Sequence, residues 1–275
     1  ALADSINHQH EIGMDLEGDL GGLFFNDVND LALQKSRVVA NADNQLPRDG
    51  QLAVEITDSS ELPAGSWTLQ FSGDGRNFEL IDKASGNIVN QGRLPDPVQS
   101  EITMPGFNIR VEGGTFNAGD KYLIQPSRNA AESISLQVNR EEDLAFASPI
   151  RATTGDQNVG TGKIDQGTML NVRNPFTSSL LPGFQTAGEL ANGPLTISFA
   201  AGDDYQGFQF KLTGTPATGD TFEIAYNSNG VSDNRNAELL AALGTLNTMN
   251  GNSQNFTEGY AGLVEDIGVK TRQSQ

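Results

Sequence analysis

The sequence contains no cysteine, which removes two ways of holding a fold together. A disulfide framework and a thiolate metal site are both excluded, so the fold must rely on ordinary packing. The chain has 275 residues, a length that suggests about two domains and allows ~70–75 % of the unfolded surface to be buried. Burial of apolar surface can therefore stabilise it without covalent help.

Basic residues are also scarce, with 17 Lys and Arg against 35 Asp and Glu and a formal net charge of −18. Such a chain is repelled by phosphate backbones and by anionic membranes. No apolar run approaches the roughly 18 residues of a membrane span, and the first residues lack the pattern of a secretory signal. We therefore predict neither nucleic acid nor a membrane as a partner. Helix-favouring sequence reaches both chain ends, and we interpret the chain as an excised fragment.

Catalytic motifs are missing as well. The two histidines, His8 and His10, lie two residues apart and would face different sides of a helix, so they cannot chelate one metal as an i, i+4 pair could. No Gly-x-Ser-x-Gly elbow and no phosphate-binding glycine loop occurs. We predict that the protein is not an enzyme and has no catalytic residues, no cofactor, no metal and no small-molecule substrate.

The middle of the chain has the alternation of β-strands. Trp67, Leu69 and Phe71 alternate with polar residues, and Asp74-Gly75 supplies a turn before a second apolar strand. This pattern predicts a β-meander whose apolar face requires a second layer. A sandwich or a small barrel is the expected result, with Trp67 in its core.

An internal repeat connects two parts of this β region. Residues 107–124 match residues 208–224, with one residue of slip after Val111, and each copy reads as strand, Gly-Asp turn, strand. The matching positions are Thr115, Gly119, Asp120, Tyr122 and Ile124 in the first copy and Thr215, Gly219, Asp220, Phe222 and Ile224 in the second. Two similar hairpins about 100 residues apart predict two related β units.

Helical spacing returns at both ends of the chain. Residues 2–12 favour helix, residues 235–249 follow a possible cap at Asp233 or Asn234, and Asn255 with Glu258 forms a capping-box pattern for a last helix. Apolar residues at helical spacing are the candidates for packing against other subunits: Leu239, Leu243, Phe256, Tyr260, Leu263 and Ile267.

These elements predict an α+β multidomain fold. Both chain ends, residues 1–40 and 231–275, would form one helical domain. Two mainly antiparallel β-sandwich or barrel-like domains, residues 41–147 and 148–230, would be inserted between them.

Three stretches carry a family resemblance. Two lie at the helical ends, in residues 2–25 and in residues 232–264. The third lies in the first β domain and reads Gly119-Asp120-Lys121-Tyr122-Leu123-Ile124-Gln125-Pro126-Ser127-Arg128-Asn129-Ala130-Ala131. In these motifs the chain resembles the flagellar hook-associated protein 1 family, the hook-filament junction proteins.

The resemblance implies a structural role between hook and filament, with helical ends packed in an axial tube and β domains facing outward. It implies self-association and contacts with the hook protein, the second junction protein and an export chaperone. It also implies an extracellular location in the flagellum, reached by flagellar type III export without a cleaved signal peptide.

Two other functions remain open from the residues alone. Tandem β modules also suit a secreted adhesin or glycan-binding protein, although helical sequence at both ends is unusual for such proteins. An enzyme acting on polysaccharide would be favoured only by the acidity and the loop-rich composition.

Overall fold

The computed structural model describes residues 1–174, 179–185, 190, 195–197, 207–228 and 230–273. This part is mainly β-sheet with few helices. The helices are α1 (Leu2–Glu11), α2 (Leu31–Ser36), α3 (Arg235–Ala242) and α4 (Phe256–Gln273). The strands are β1 (Val38–Ala40), β2 (Gln51–Ile56), β3 (Trp67–Ser72), β4 (Asn77–Asp82), β5 (Ile88–Arg93), β6 (Ser100–Met104), β7 (Phe107–Gly113), β8 (Lys121–Ile124), β9 (Ile150–Thr154), β10 (Lys163–Ile164), β11 (Thr168–Met169), β12 (Leu195–Ile197), β13 (Phe208–Gln209), β14 (Leu212–Thr213) and β15 (Phe222–Tyr226).

The chain divides into two compact units. The first unit contains Ala1–Asp4, Asn26–Ser135 and Gly244–Gln275, and the second contains Ser5–Phe25 and Leu136–Leu243. Helix α3 thus lies in the second unit and α4 in the first. The predicted helical domain formed by both chain ends is not confirmed, and the three predicted domain boundaries stay a prediction.

The first unit is built from two antiparallel sheets. One has the strand order β1-β8-β3-β4-β5 and the other β2-β7-β6. The predicted meander is confirmed, because Trp67 pairs with Asp82 and Ser72 with Asn77 across the turn at Asp74-Gly75. Trp67 is buried, as its alternation predicted, and its ring lies 5.2 Å from that of Phe107.

The second unit has smaller sheets. Strands β12, β15 and β9 form one antiparallel sheet in that order, while β10 pairs with β14 and β11 with β13. Its core is apolar and includes side chains from α1's C-terminal side, the sheets and the loops: Ile12, Ile150, Ala152, Met169, Val172, Leu181, Phe184, Leu190, Phe208 and Ile224.

The internal repeat is visible in the strand pairing. In the first unit β1 pairs with β8 and β2 with β7, and in the second unit β9 pairs with β15 and the strands β10 and β11 with β14 and β13. The slip after Val111 is a β-bulge, because Gln51 pairs with Gly113 whereas Leu52 pairs with Val111. The prediction of two related β units is supported at the level of topology.

In the first copy, the side chains of Asn44 and Asp120 connect the Gly-Asp turn to the loop after β1. Asn44 donates to the carbonyl of Lys121 at 3.0 Å and accepts from its amide at 2.8 Å. The buried carboxylate of Asp120 accepts from the amides of Gln45 and Asn117, both at 2.8 Å. The loop after β1 is thereby tied to the start of β8.

The second copy repeats this arrangement with Asn158 and Asp220. Asn158 donates to the carbonyl of Thr221 at 2.9 Å and accepts from its amide at 2.8 Å. The buried carboxylate of Asp220 accepts from the amides of Val159 and Ala217, both at 2.8 Å. We call each Asn-Asp set, Asn44 with Asp120 and Asn158 with Asp220, a clamp.

The helix predictions hold with one correction. Helix α1 matches residues 2–12 closely, and the capping box is confirmed, since Asn255 and Glu258 each accept from the other's backbone amide. The helix predicted for residues 235–249 ends at Ala242. Gly244 follows two residues later, and glycine is unfavourable in a helix interior, so the leucine spacing beyond it does not extend the helix.

Candidate assembly surfaces

A polar network at the start of α3 holds the second unit together. Oδ1 of Asp233 accepts from the amide of Arg235 at 3.0 Å, so Asp233 rather than Asn234 provides the side-chain cap. The Arg235 guanidinium pairs with Asp233 at 2.6 Å and donates to the carbonyls of Ile150 and Gln166. Burial alone would raise the pKa of Asp233, but hydrogen bonds from Arg235 outweigh it and lower that pKa.

Asn236 connects α3 to α1 through buried hydrogen bonds. Its Oδ1 accepts from Nε2 of Gln9 at 2.5 Å, and its Nδ2 donates to the carbonyls of Gln9 and Ala145. A Cβ at Gly13 would lie 2.1 Å from this Nδ2, so glycine is needed for the close approach. Gly13 and Asn236 belong to the two stretches at the helical ends that carried the family resemblance, and both are needed where α1 contacts α3.

The two histidines differ in their surroundings. His8 is exposed, whereas His10 is fully buried. Nδ1 of His10 lies 2.8 Å from the carbonyl of Gly22, and Nε2 accepts from the amide of Ala145 at 3.0 Å. These partners require the neutral tautomer with the proton on Nδ1. Among the described residues, no group of three or more acidic or histidine side chains could hold a metal ion.

The candidates Leu239 and Leu243 differ in exposure. Leu239 lies on α3, is 40 % exposed, and lines a cleft of about 270 Å³ together with Ile12 and Met169. Leu243 directly follows α3 and is buried. Leu239 is thus available to a partner, whereas Leu243 is used within its own unit.

The other candidates lie on α4 in the first unit. Phe256 is half-buried at the start of the helix, and Tyr260 is 69 % exposed. Leu263 and Ile267 belong to α4, but their side chains lie outside what the structure describes. Sequence reasoning missed Val264, which is 51 % exposed and follows Tyr260 by one helical i, i+4 step. Tyr260 and Val264 form the α4 stripe. The role in subunit packing predicted for Phe256, Tyr260, Leu263 and Ile267 stays a prediction.

Across the part of the chain that the structure describes, no helix combines the length and apolarity of a membrane span.

Comparison with known proteins gives the chain its relatives. No protein-family model matches the sequence. Flagellar hook-associated protein 1 of Salmonella typhimurium is 26 % identical over 165 residues, which are 60 % of this chain and 27 % of that protein. The protein of the same name from Escherichia coli is also 26 % identical over 165 residues, 60 % of this chain and 28 % of the relative.

A solved structure extends the likeness to the fold. The flagellar hook junction protein FlgK from Burkholderia pseudomallei matches with a TM-score of 0.75 and 26 % identity, over 99 % of this chain and 54 % of that chain. The relatives are flagellar hook-associated proteins. The predicted resemblance is confirmed. Of the predicted α+β multidomain fold only the β-sheet part is confirmed, since the fold is mainly β-sheet with few helices. The chain spans little more than a quarter of the length of the curated relatives.

Proposed function

We propose that this chain is a structural part of the hook-filament junction of the bacterial flagellum and catalyses no reaction. The observation that carries the proposal is the likeness in fold to a hook junction protein over 99 % of the chain with a TM-score of 0.75. The curated relatives, which are flagellar hook-associated proteins, support the same role.

The proposal includes an arrangement and a set of partners. The helical ends pack in an axial tube and the β regions face outward, outside the cell. The partners are further copies, the hook protein and the second junction protein, and an export chaperone that accompanies type III export. The exposed α4 stripe supports this arrangement, because exposed apolar side chains at helical spacing are suited to packing against other helices.

Deletion of the gene in the source bacterium tests the role. We expect hooks without filaments by electron microscopy and flagellin lost to the culture medium, with both defects repaired by the full-length gene. Normal filaments in the deletion strain would overturn the proposal. Glycan-array binding of the chain together with normal filaments would favour the adhesin hypothesis instead.

Complementation with substituted genes tests the packing surface. The double change Tyr260→Ser and Val264→Ser should leave the protein folded and exported, because both side chains are exposed, yet reduce the number of filaments per cell severalfold. Leu46→Ser is the control, since Leu46 is 80 % exposed in the same unit but lies outside α4. Equal filament numbers for the two genes would remove the α4 stripe from the assembly surface.

A further inference from the structure

The second unit contains a cleft with exposed apolar side chains that no neighbouring element covers among the described residues. It has a volume of about 410 Å³ and lies between residues 14–16, residues 141–147 and residues 230–237. Leu16 is 54 % exposed and Val231 75 % exposed at its border, and Phe146 is also exposed. Several large apolar side chains around one cleft are unusual on a monomer surface and mark interaction sites.

The walls of this cleft are built by hydrogen bonding and close packing. Met14 and Ala147 exchange backbone hydrogen bonds at 2.9 and 3.1 Å, and the amide of Ala237 donates to the carbonyl of Phe146 at 3.0 Å. Gly230 lies directly on Met14, because a Cβ there would be 2.2 Å from the Met14 Cε. The cleft is therefore a fixed feature of the second unit.

Negative charge surrounds the apolar floor. Asp15, Glu141 and Glu142 line the cleft, and the structure shows no ion pair for these three carboxylates among the residues it describes. The nearby Arg140 is already paired with Glu17 at 3.2 Å and with Asp143 at 2.5 Å. Burial raises the pKa of Asp15 even though its carboxylate accepts from the amides of Glu17 and Asp19, so a nearby cation would stabilise its charged form.

We propose that this cleft binds an extended segment of another protein in which apolar side chains alternate with Arg or Lys. The apolar side chains would contact Leu16, Phe146 and Val231, and the cations would pair with Glu141 and Glu142. A chain with a net charge of −18 is a poor partner for this acidic rim, which argues against a second copy. The cleft shares no residue with the α4 stripe, and this proposal does not depend on the junction role.

The test uses the chain as it is and a defined probe. A fluorescein-labelled peptide of alternating Arg and Leu is titrated with the protein and followed by anisotropy, beside a peptide in which Glu replaces every Arg. We expect saturable binding of the Arg-Leu peptide alone, weakened by added salt because exposed charge pairs are screened.

Two double variants separate the apolar and the charged contributions. Leu16→Ser with Val231→Ser should raise the Kd about tenfold, since two apolar contacts are lost. Glu141→Gln with Glu142→Gln should raise it about threefold at low salt and leave it unchanged at high salt. Circular dichroism and thermal unfolding check that each variant is folded, which the exposure of the changed side chains favours.

The matched controls are Leu170→Ser and Glu223→Gln, an exposed apolar and an exposed acidic residue of the same unit away from the cleft. Both should bind the Arg-Leu peptide as tightly as the unchanged protein. Equal losses in controls and cleft variants would overturn the proposal, because the peptide would then be collecting on the acidic surface as a whole. Equal binding of the Glu-containing peptide would overturn it as well.

Discussion

The two clamps offer an internal comparison, since the same hydrogen bonds occur in units with different surroundings. Asn44 and Asp120 work beside an extended five-stranded sheet, whereas Asn158 and Asp220 work beside the sheet of β12, β15 and β9. The first turn is also covered by aromatic stacking, because the ring of Phe116 lies 4.3 Å from that of Phe71. At the equivalent position the second copy has Pro216.

This difference shows that the hydrogen bonds of the clamp are the same in both copies, whereas the side chains that pack around the turn differ. In both copies the carboxylate accepts from the amide three residues earlier and from the loop after the edge strand, where one amide donates in the first copy and two donate in the second. None of these hydrogen bonds involves a residue of strands β3 to β6. The first turn is also bonded to β3, because the amide of Gly119 donates to the carbonyl of Phe71 at 2.8 Å and the amide of Phe71 donates to the carbonyl of Asp120 at 2.9 Å.

The largest expected effect comes from the glycines before the clamp. Gly114 and Gly214 have φ of 88° and 80°, and a Cβ would lie 2.1 Å from the carbonyl oxygen of Asp49 or 2.2 Å from that of Thr161. Gly114→Ala and Gly214→Ala should each cost ~3 kcal/mol or more, because backbone must move in addition to the strain of positive φ. Thermal unfolding with hydrogen exchange would locate the loss in the first or the second unit.

Gly119 and Gly219 are the controls for that effect. Their φ values of 93° and 97° are similar, but a Cβ there would meet nothing within 4 Å. Alanine at either position should cost only ~1–2 kcal/mol. Equal losses of stability at all four glycines would show that the close approach of Gly114 to Asp49 and of Gly214 to Thr161 is unimportant.

Replacing the asparagine of each clamp should destabilise the two units to different extents. Asn44 is buried and Asn158 is partly exposed, although both make the same pair of hydrogen bonds. Asn44→Ala should cost ~2–3 kcal/mol and Asn158→Ala ~1 kcal/mol, because water can replace the lost partner only where it has access. Urea unfolding measures both values. A larger loss for Asn158→Ala would contradict the assigned difference in burial.

Acid should produce the smallest effect. Backbone hydrogen bonds lower the pKa of Asp220 in the second unit, and hydrogen bonds from Arg93 lower that of Asp74 to about 2 in the first unit. A folded pKa below the unfolded value means that the stabilisation is present above about pH 4 and is lost as pH falls through the folded pKa.

The midpoint of unfolding should therefore be lower at pH 2 than at pH 5, since these two values roughly bracket the pH range in which the stabilisation is lost. Asp220→Asn should reduce the fall in the second unit and Asp74→Asn in the first. A midpoint with the same pH dependence in all three proteins would contradict these assignments.

Local patterns allowed much of the fold to be predicted. Alternation around Trp67 indicated the meander, the spacing of Asn255 and Glu258 indicated the capping box, and the repeated Gly-Asp turn indicated related β units. Each depends on residues close together in the sequence, where backbone geometry limits the choices. The helix predicted to residue 249 failed because the leucine pattern continues past Gly244.

Long-range partners could not be predicted in the same way. The clamp joins Asn44 to Lys121, and His10 accepts from Ala145, across stretches in which a single sequence gives no sign of pairing. The cleft likewise combines Leu16, Phe146 and Val231 from three distant segments. Such contacts depend on which segments the folded core brings together.

By itself, the amino-acid sequence determined the absence of disulfides, the acidic character, the strand and helix periods and the resemblance to hook-associated proteins. Composition and short spacing carry that information directly. Only the tertiary structure decided that α3 and α4 belong to different units, which apolar side chains stay exposed, and that Asp233 and Asn236 serve as a joint. Exposure and pairing are properties of the packed chain, because each depends on which neighbours exclude water from a side chain.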